Sequence, residues 1–208
     1  MRIYEIFYSL QGEGRESGIP TIFIRTVGCN LRCTYCDTTY AYTGGEEIDV
    51  EAIIRDIRRY PCRNVCITGG EPLLQEDVID LISRLTEENY KISIETNGSI
   101  SIKPLLKFKD ILISLDIKCP SSHMQDKMDM RNLTYLKDKD QLKFIIYDRV
   151  DYEYAKEILD KHQVSCPIFF QPVWGVDPSR LADWILKDGL QVYLGLQIHK
   201  IIWGEGKH

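Results

Sequence analysis

The sequence predicts an α/β chain built on a partial, incomplete parallel β/α barrel. Three observations carry that prediction. Apolar strand-like segments alternate with amphipathic helix-like segments, the order of parallel strands joined by right-handed crossovers. The chain has 208 residues, fewer than the roughly 250 that an eight-unit barrel usually takes. Unusual polar residues recur just after the strand-like segments, where ligands bind in such sheets.

Residues 1–20 stand ahead of the first unit as an N-terminal extension. Residues 21–27 (TIFIRTV) are β-branched and apolar, a buried strand. Residues 50–60 form a helix with Ile53, Ile54, Ile57 and Tyr60 on one face and Asp49 as its N-cap. Residues 64–68 are a strand, and residues 76–89 a helix with Val78, Ile79, Ile82 and Leu85 inward. Residues 91–95 and 111–115 are strands, with a short helical piece near 102–107 between them. Residues 120–140 are polar and weakly periodic, either a solvated surface excursion or a flap over the site. Residues 141–146 are a strand, and residues 151–162 a helix with Ala155, Ile158 and Leu159 inward. Residues 167–171 are a strand, residues 178–186 a helix capped by Asp177, and residues 192–196 the last of about seven strands. The chain reads as one domain over 1–208, with no internal repeat.

Hydrophobic content of 44% and charged content of 27% are ordinary for a soluble globular protein. No apolar run approaches a membrane span, and residues 1–14 lack a secretory core, so a cytoplasmic location is expected. The net charge of −5 and the lack of a basic patch favour a small-molecule substrate over direct nucleic-acid binding. The odd number of cysteines, seven, suits a reducing compartment.

Three of those cysteines, Cys29, Cys33 and Cys36, follow the first strand with C-x3-C-x2-C spacing. Three thiolates on one loop suit three corners of a [4Fe–4S] cube and leave one iron open to a ligand. A structural zinc site wants four ligands, usually as two short pairs, and a ferredoxin-type carrier needs a fourth cysteine. Cys62, Cys66, Cys119 and Cys166 are scattered, and Cys66 sits in an apolar strand.

Other polar motifs follow the later strands: Gly69-Gly70-Glu71-Pro72, Glu95-Thr96-Asn97-Gly98, Asp116-Ile117-Lys118, Gln171-Pro172 and Gln197-Ile198-His199-Lys200. Strand ends of a parallel sheet share one face, so these motifs converge on one pocket. The paired glycines permit close backbone approach to a ligand, and Glu71 offers an acceptor for an amine.

The cysteine spacing with Gly-Gly-Glu-Pro resembles the radical S-adenosylmethionine (SAM) enzymes. There SAM chelates the open iron, and reductive cleavage gives a carbon radical. The resemblance implies a partial barrel of the radical SAM type, with Gly70, Glu71 and Glu95 on SAM, Glu95 at its ribose. Asp116, Lys118 and Gln171 stand at the other SAM-side positions; relatives often read Ser-Pro-Lys where this chain has Asp116-Ile117-Lys118. Within those enzymes, Tyr8-Ser9-Leu10-Gln11-Gly12-Glu13-Gly14, then Arg25, then Cys36-Asp37-Thr38, resemble the 7-carboxy-7-deazaguanine synthase family over nearly the whole chain.

That likeness implies a lyase converting 6-carboxy-5,6,7,8-tetrahydropterin to 7-carboxy-7-deazaguanine with loss of ammonia, for deazapurine bases found in tRNA. It implies a homodimer, an external flavodoxin- or ferredoxin-like electron donor, and Mg2+ at the substrate. By position, residues 1–20 become a substrate-side extension. Leu10, Gln11, Gly12 and Glu13 line the pterin, and Arg25 pairs with its carboxylate. Thr68 and His199 touch substrate, and Thr38 gives Mg2+ an oxygen. His123, His162 and His208 have no assigned role. The alternative is a radical SAM activating enzyme that installs a glycyl radical on a partner protein; it needs an open groove.

Overall fold

The computed structural model describes residues 1–204; His208 lies outside the described residues. Its strands are β1 (Arg2–Leu10), β2 (Pro20–Thr26), β3 (Glu46–Glu47), β4 (Asn64–Gly69), β5 (Lys91–Thr96), β6 (Leu112–Ile117), β7 (Gln141–Ile146), β8 (Ile168–Pro172) and β9 (Tyr193–Leu194). Its helices are α1 (Val50–Ile57), α2 (Val78–Glu87), α3 (Arg149–Lys161), α4 (Pro178–Asp188) and α5 (Ile198–Trp203). Among the described residues the strands form one sheet in the order β3-β1-β2-β4-β5-β6-β7-β8-β9. The seven strands expected from sequence are the parallel run from β2 to β9. The two edges do not meet, so the barrel stays open.

The helices cover one face with the apolar stripes that the sequence spells. Asp49 accepts from the Ala52 amide at 2.8 Å and caps α1, which buries Val50, Ile53, Ile54 and Ile57. In α2 the inward set is Val78, Leu81, Ile82 and Leu85; Ile79, expected inward, is only partly buried at the edge of the stripe. Helix α3 starts two residues before the expected position, because Asp148 accepts from the Val150 and Asp151 amides. Asp177 caps α4, and Gly189, at φ 64°, ends it.

Two features were not legible as elements. The N-terminal extension is largely a strand, β1, antiparallel to β2 and in turn paired with β3. Residues 11–19 then cross the open barrel. The Arg15 amide donates to Gln141 Oε1 at 2.8 Å, and its guanidinium donates to the Asp138 and Lys139 carbonyls. The hairpin thus ties β2 to the start of β7 and forms a floor under the sheet's interior.

From sequence, residues 120–140 read as either a surface excursion or a flap. Residues 120–140 fold into three tight turns held by buried Asn132 and Asp140. Asn132 Oδ1 accepts from the Ile102 amide at 3.0 Å, and Asp140 Oδ1 from the Ile113 amide at 2.9 Å. Buried polar side chains with such partners hold a segment in place. No residue of the segment lines the cavity described below.

Among the described residues, no helix is long and apolar enough to cross a membrane.

Candidate active site

A cavity of about 990 Å³ opens at the C-terminal ends of the parallel strands, room for two small ligands. Strand register sets its walls. Arg25 pairs with Thr68, Glu95 with Ser114, Asp116 with Lys143, and Ile145 with Gln171. Alternation sends these side chains inward, while Leu142, Phe144 and Ile146 pack into the core. Every predicted site residue lines the cavity except Glu71.

The cysteine loop leaves β2 through Gly28, at φ 94°. A Cβ on Gly70 would lie 2.0 Å from the Gly28 carbonyl oxygen and 2.9 Å from Cys29 Cβ. Only a bare backbone fits between this turn and the cysteines. Cys29 Sγ accepts from the Leu31 amide at 3.4 Å and from Asn97 Nδ2 at 3.5 Å. Burial pushes the Cys33 thiol up, and the nearby Lys118 opposes that. From outside, the Ser121 carbonyl accepts the Thr34 hydroxyl at 2.5 Å, and Met124 Sδ accepts the Arg32 amide at 3.4 Å.

This donor set fits a [4Fe–4S] cluster with one open iron: three free, half-buried thiols face one cavity, with N–H donors on Cys29 Sγ. Cys66, Cys119 and Cys166 are buried in the core. Cys62 sits at the opposite end of the sheet, where its thiol donates to the Pro20 carbonyl at 3.0 Å. No group of three or more His, Cys, Asp or Glu among the described residues closes on one metal ion.

Glu71 faces away from the cavity. Its carboxylate accepts from the Leu73 amide at 3.0 Å, the Thr96 hydroxyl at 2.8 Å and the Asn97 amide at 2.6 Å. Burial dominates and pushes its carboxyl up to about 7, against the pull of those donors. Glu71 ties the Gly-Gly turn to the end of β5, and the turn presents the backbone of Gly69 and Gly70 to the cavity.

Charged side chains build the remaining walls. Lys118 Nζ donates to Asp116 Oδ2 at 2.7 Å. Lys143 Nζ lies 2.8 Å from Glu13 Oε2 and 3.4 Å from Asp116 Oδ1. Burial alone would raise Glu13 and Asp116, yet their lysines hold both below the usual carboxylate range. Glu95 accepts from the Thr68 hydroxyl at 2.9 Å and from Gln11 Nε2 at 3.3 Å. Arg25 donates to Glu5 at 2.7 Å and lies over the Phe7 and Tyr40 rings. Among the described residues, Gln171 Oε1 is buried with no hydrogen-bond partner.

The end of the described chain completes the pocket. Gln197 Nε2 donates to Glu13 Oε1 at 2.8 Å, and Lys200 Nζ to Asp37 Oδ2 at 2.5 Å. Burial would raise Asp37, but the Lys200 bond leads the groups that pull it down to about 2. His199 packs where a Cβ on Gly12 would stand, 1.7 Å from its Nδ1, and burial pushes its pKa down. Thr38 donates to Asp37 Oδ1 at 3.0 Å, so two oxygen-bearing side chains stand beside Cys36.

The sequence reading placed the motifs that hold Asp37, Asn97, Gln197 and Lys200 without giving those four residues a role, and it missed Lys143 and the aromatic walls Tyr4, Tyr40, Tyr42 and Trp174; all of these line the cavity. The available signal for Lys143 was a lysine within the otherwise apolar run Leu142–Ile146, a position that needs a buried counter-charge.

The model of the radical SAM superfamily matches residues 23–145. The 7-carboxy-7-deazaguanine synthase of Thermoplasma acidophilum is 40% identical over 205 residues, covering 99% of this chain and 98% of that protein. The protein of the same name from Methanospirillum hungatei is 43% identical, covering 97% of this chain and 85% of that one. Among solved structures, QueE from Escherichia coli aligns with a TM-score of 0.77 at 24% identity, over 94% of this chain and 93% of that one. The cysteine loop and glycine turn lie within the matched segment, and the relatedness spans both ends of the cavity wall: the chain belongs to the radical SAM superfamily and, within it, to the 7-carboxy-7-deazaguanine synthase family.

Proposed function

We propose that this chain is a radical SAM lyase converting 6-carboxy-5,6,7,8-tetrahydropterin to 7-carboxy-7-deazaguanine with loss of ammonia. It serves queuosine or archaeosine synthesis, in the cytoplasm. The observation that carries this reading is end-to-end kinship, at 40% identity, with a protein named for that product. When bound, the [4Fe–4S] cluster and SAM supply a carbon-centred radical able to remove a hydrogen atom.

The chain's own residues hold the reactants. Cys29, Cys33 and Cys36 ligate the cluster. The Gly69–Gly70 backbone, Glu95, Asp116, Lys118 and Gln171 face SAM, and Glu71 keeps the glycine turn in place. Gln11 and Glu13 take the amide and amine edge of the pterin, with Leu10 and Gly12 beside them. Arg25 pairs with the substrate carboxylate, using the fork that Glu5 leaves free. Thr68 and His199 flank the substrate. Thr38, with Asp37, offers hard oxygen atoms to Mg2+, which shares its other positions with substrate and water. A homodimer and an external flavodoxin- or ferredoxin-like reductant complete the working enzyme.

A small substrate is favoured over a protein loop because residues 197–200 bond to Glu13 and Asp37 and so narrow the cavity. The deciding experiment is anaerobic turnover of the reconstituted protein with SAM, reductant and the carboxylated pterin. The expected result is a new deazapurine chromophore; its absence with an intact cluster overturns the reading.

A further inference from the structure

We propose that Lys143 is a positioning residue of this reaction: its ammonium joins the substrate-side carboxylate Glu13 to the SAM-side carboxylate Asp116 and keeps Glu13 ionised for the pterin. The inference rests on the reading of Gln11 and Glu13 as the pterin edge. Lys143 is 4% exposed and stands at the middle of the cavity wall. It lies 2.8 Å from Glu13 Oε2 and 3.4 Å from Asp116 Oδ1.

The two contacts differ in origin. Asp116 is its register partner on β6, so that pair is fixed by the sheet. Glu13 belongs to the hairpin floor, which has no ladder bonds to β7. The Lys143–Glu13 bond therefore sets where the floor carboxylate stands relative to the sheet. A carboxylate accepts from a pterin amine or ring N–H only while ionised; protonated, one of its oxygens becomes a donor.

The surroundings leave that task to Lys143. Glu13 is faced by Asp37 from the cysteine loop, His199 and the Gln197 amide from the chain's end, and Lys143 from β7. Asp37 opposes ionisation, and burial pushes His199 toward its neutral form. Asp116 has a second cation, Lys118; among the described residues Glu13 has no second ammonium in contact. Removing the charge of Lys143 thus strands Glu13 more than Asp116.

The test compares wild type with Lys143→Met, Lys143→Arg and the double variant Glu13→Gln/Lys143→Met. Protein labelled with 13C at glutamate carboxyls is titrated, with the Glu13 signal assigned by its absence in Glu13→Gln. In wild type and Lys143→Arg, Glu13 titrates below the usual carboxylate range, whereas in Lys143→Met its titration moves upward, away from the wild-type position. In turnover, Lys143→Met raises the pterin KM about tenfold or more, increasingly as pH falls, while SAM affinity changes less than about threefold.

The double variant folds and shows no such pH dependence; it carries the kinetic test if Lys143→Met alone is insoluble. Identical Glu13 titration in wild type and Lys143→Met, or a double variant that keeps the acid-sensitive KM, overturns the proposal. A wild-type protein inert toward the pterin overturns the reaction assignment instead, and the carboxyl titration still judges Lys143.

Discussion

On the cysteine side of the cavity the backbone does the holding, and on the Glu13 side the side chains do. Gly69 and Gly70 lie against Thr26 and Gly28 with no room for a Cβ, and Glu71 ties that contact to the end of β5 through the Asn97 amide and the Thr96 hydroxyl. The Glu13 side instead joins a hairpin, two sheet strands, the cysteine loop and the segment 197–200 through Glu13, Lys143, Asp116, Gln197, Lys200 and Asp37. Backbone contacts depend on the absence of atoms and ion pairs on their presence, so the two halves should fail differently when mutated.

The largest effect separates the halves outright. Cys33→Ala leaves two sulfurs on the loop, and iron content and visible absorbance after anaerobic reconstitution should drop to background with no turnover; a variant retaining the full cluster would break the comparison. On the other side, Arg25→Lys keeps the charge and loses the fork. The substrate KM should rise about thirtyfold, near 2 kcal/mol, while the spectroscopic response to SAM stays as in wild type.

Gly70→Ala probes the backbone half again. A Cβ 2.0 Å from the Gly28 carbonyl oxygen forces the cysteine loop outward. A loss of about 1–3 kcal/mol is expected, read by thermal unfolding together with iron per chain. Wild-type values for both would show that the loops separate freely.

Glu71→Gln sets an amide N–H2 against a carboxylate's donors and should cost about 1–3 kcal/mol. Its pH dependence is specific. Burial raises the folded carboxyl to about 7, so the folded state holds the proton more tightly than the unfolded chain. Wild-type stability from this group therefore falls as pH rises from about 4.5 to about 7, and the wild-type advantage over Glu71→Gln should be larger at about pH 5 than at about pH 8. Denaturant titrations at the two pH values check the sign.

The smallest effect belongs to the half-exposed pair Asp37–Lys200. Asp37→Asn should lower stability by about 0.3–1 kcal/mol yet measurably speed hydrogen exchange in α5. The carboxyl sits near 2, depressed by Lys200, so its contribution is whole above the ordinary carboxylate value and lost as pH falls through about 2.

The same division explains what the sequence made legible. The seven parallel strands announced themselves by apolar runs, and the cluster side by a contiguous loop and a glycine pair, because both are local patterns. The charged wall is not local: Glu13 and Lys143 are 130 residues apart and meet only because a hairpin crosses the barrel. Glu71 shows a subtler limit. Its place in a motif was readable, but the direction of its side chain was set by the Thr96 hydroxyl and the Asn97 amide at the end of β5, which no spacing reveals. Strand β1 was overlooked because an antiparallel partner lies outside the alternating rhythm that marked the other strands.

The hairpin floor has one more consequence. An open sheet has no bottom of its own, and here the bottom is a short crossing loop that needs glycine at position 14, where a Cβ would meet Gln141 at 2.2 Å. Pocket depth is therefore governed by a segment outside the sheet's ladder. Relatives of this chain could reach for a longer or shorter molecule by resizing that loop, as a shelf is moved within a fixed cabinet, and leave the iron-holding end untouched.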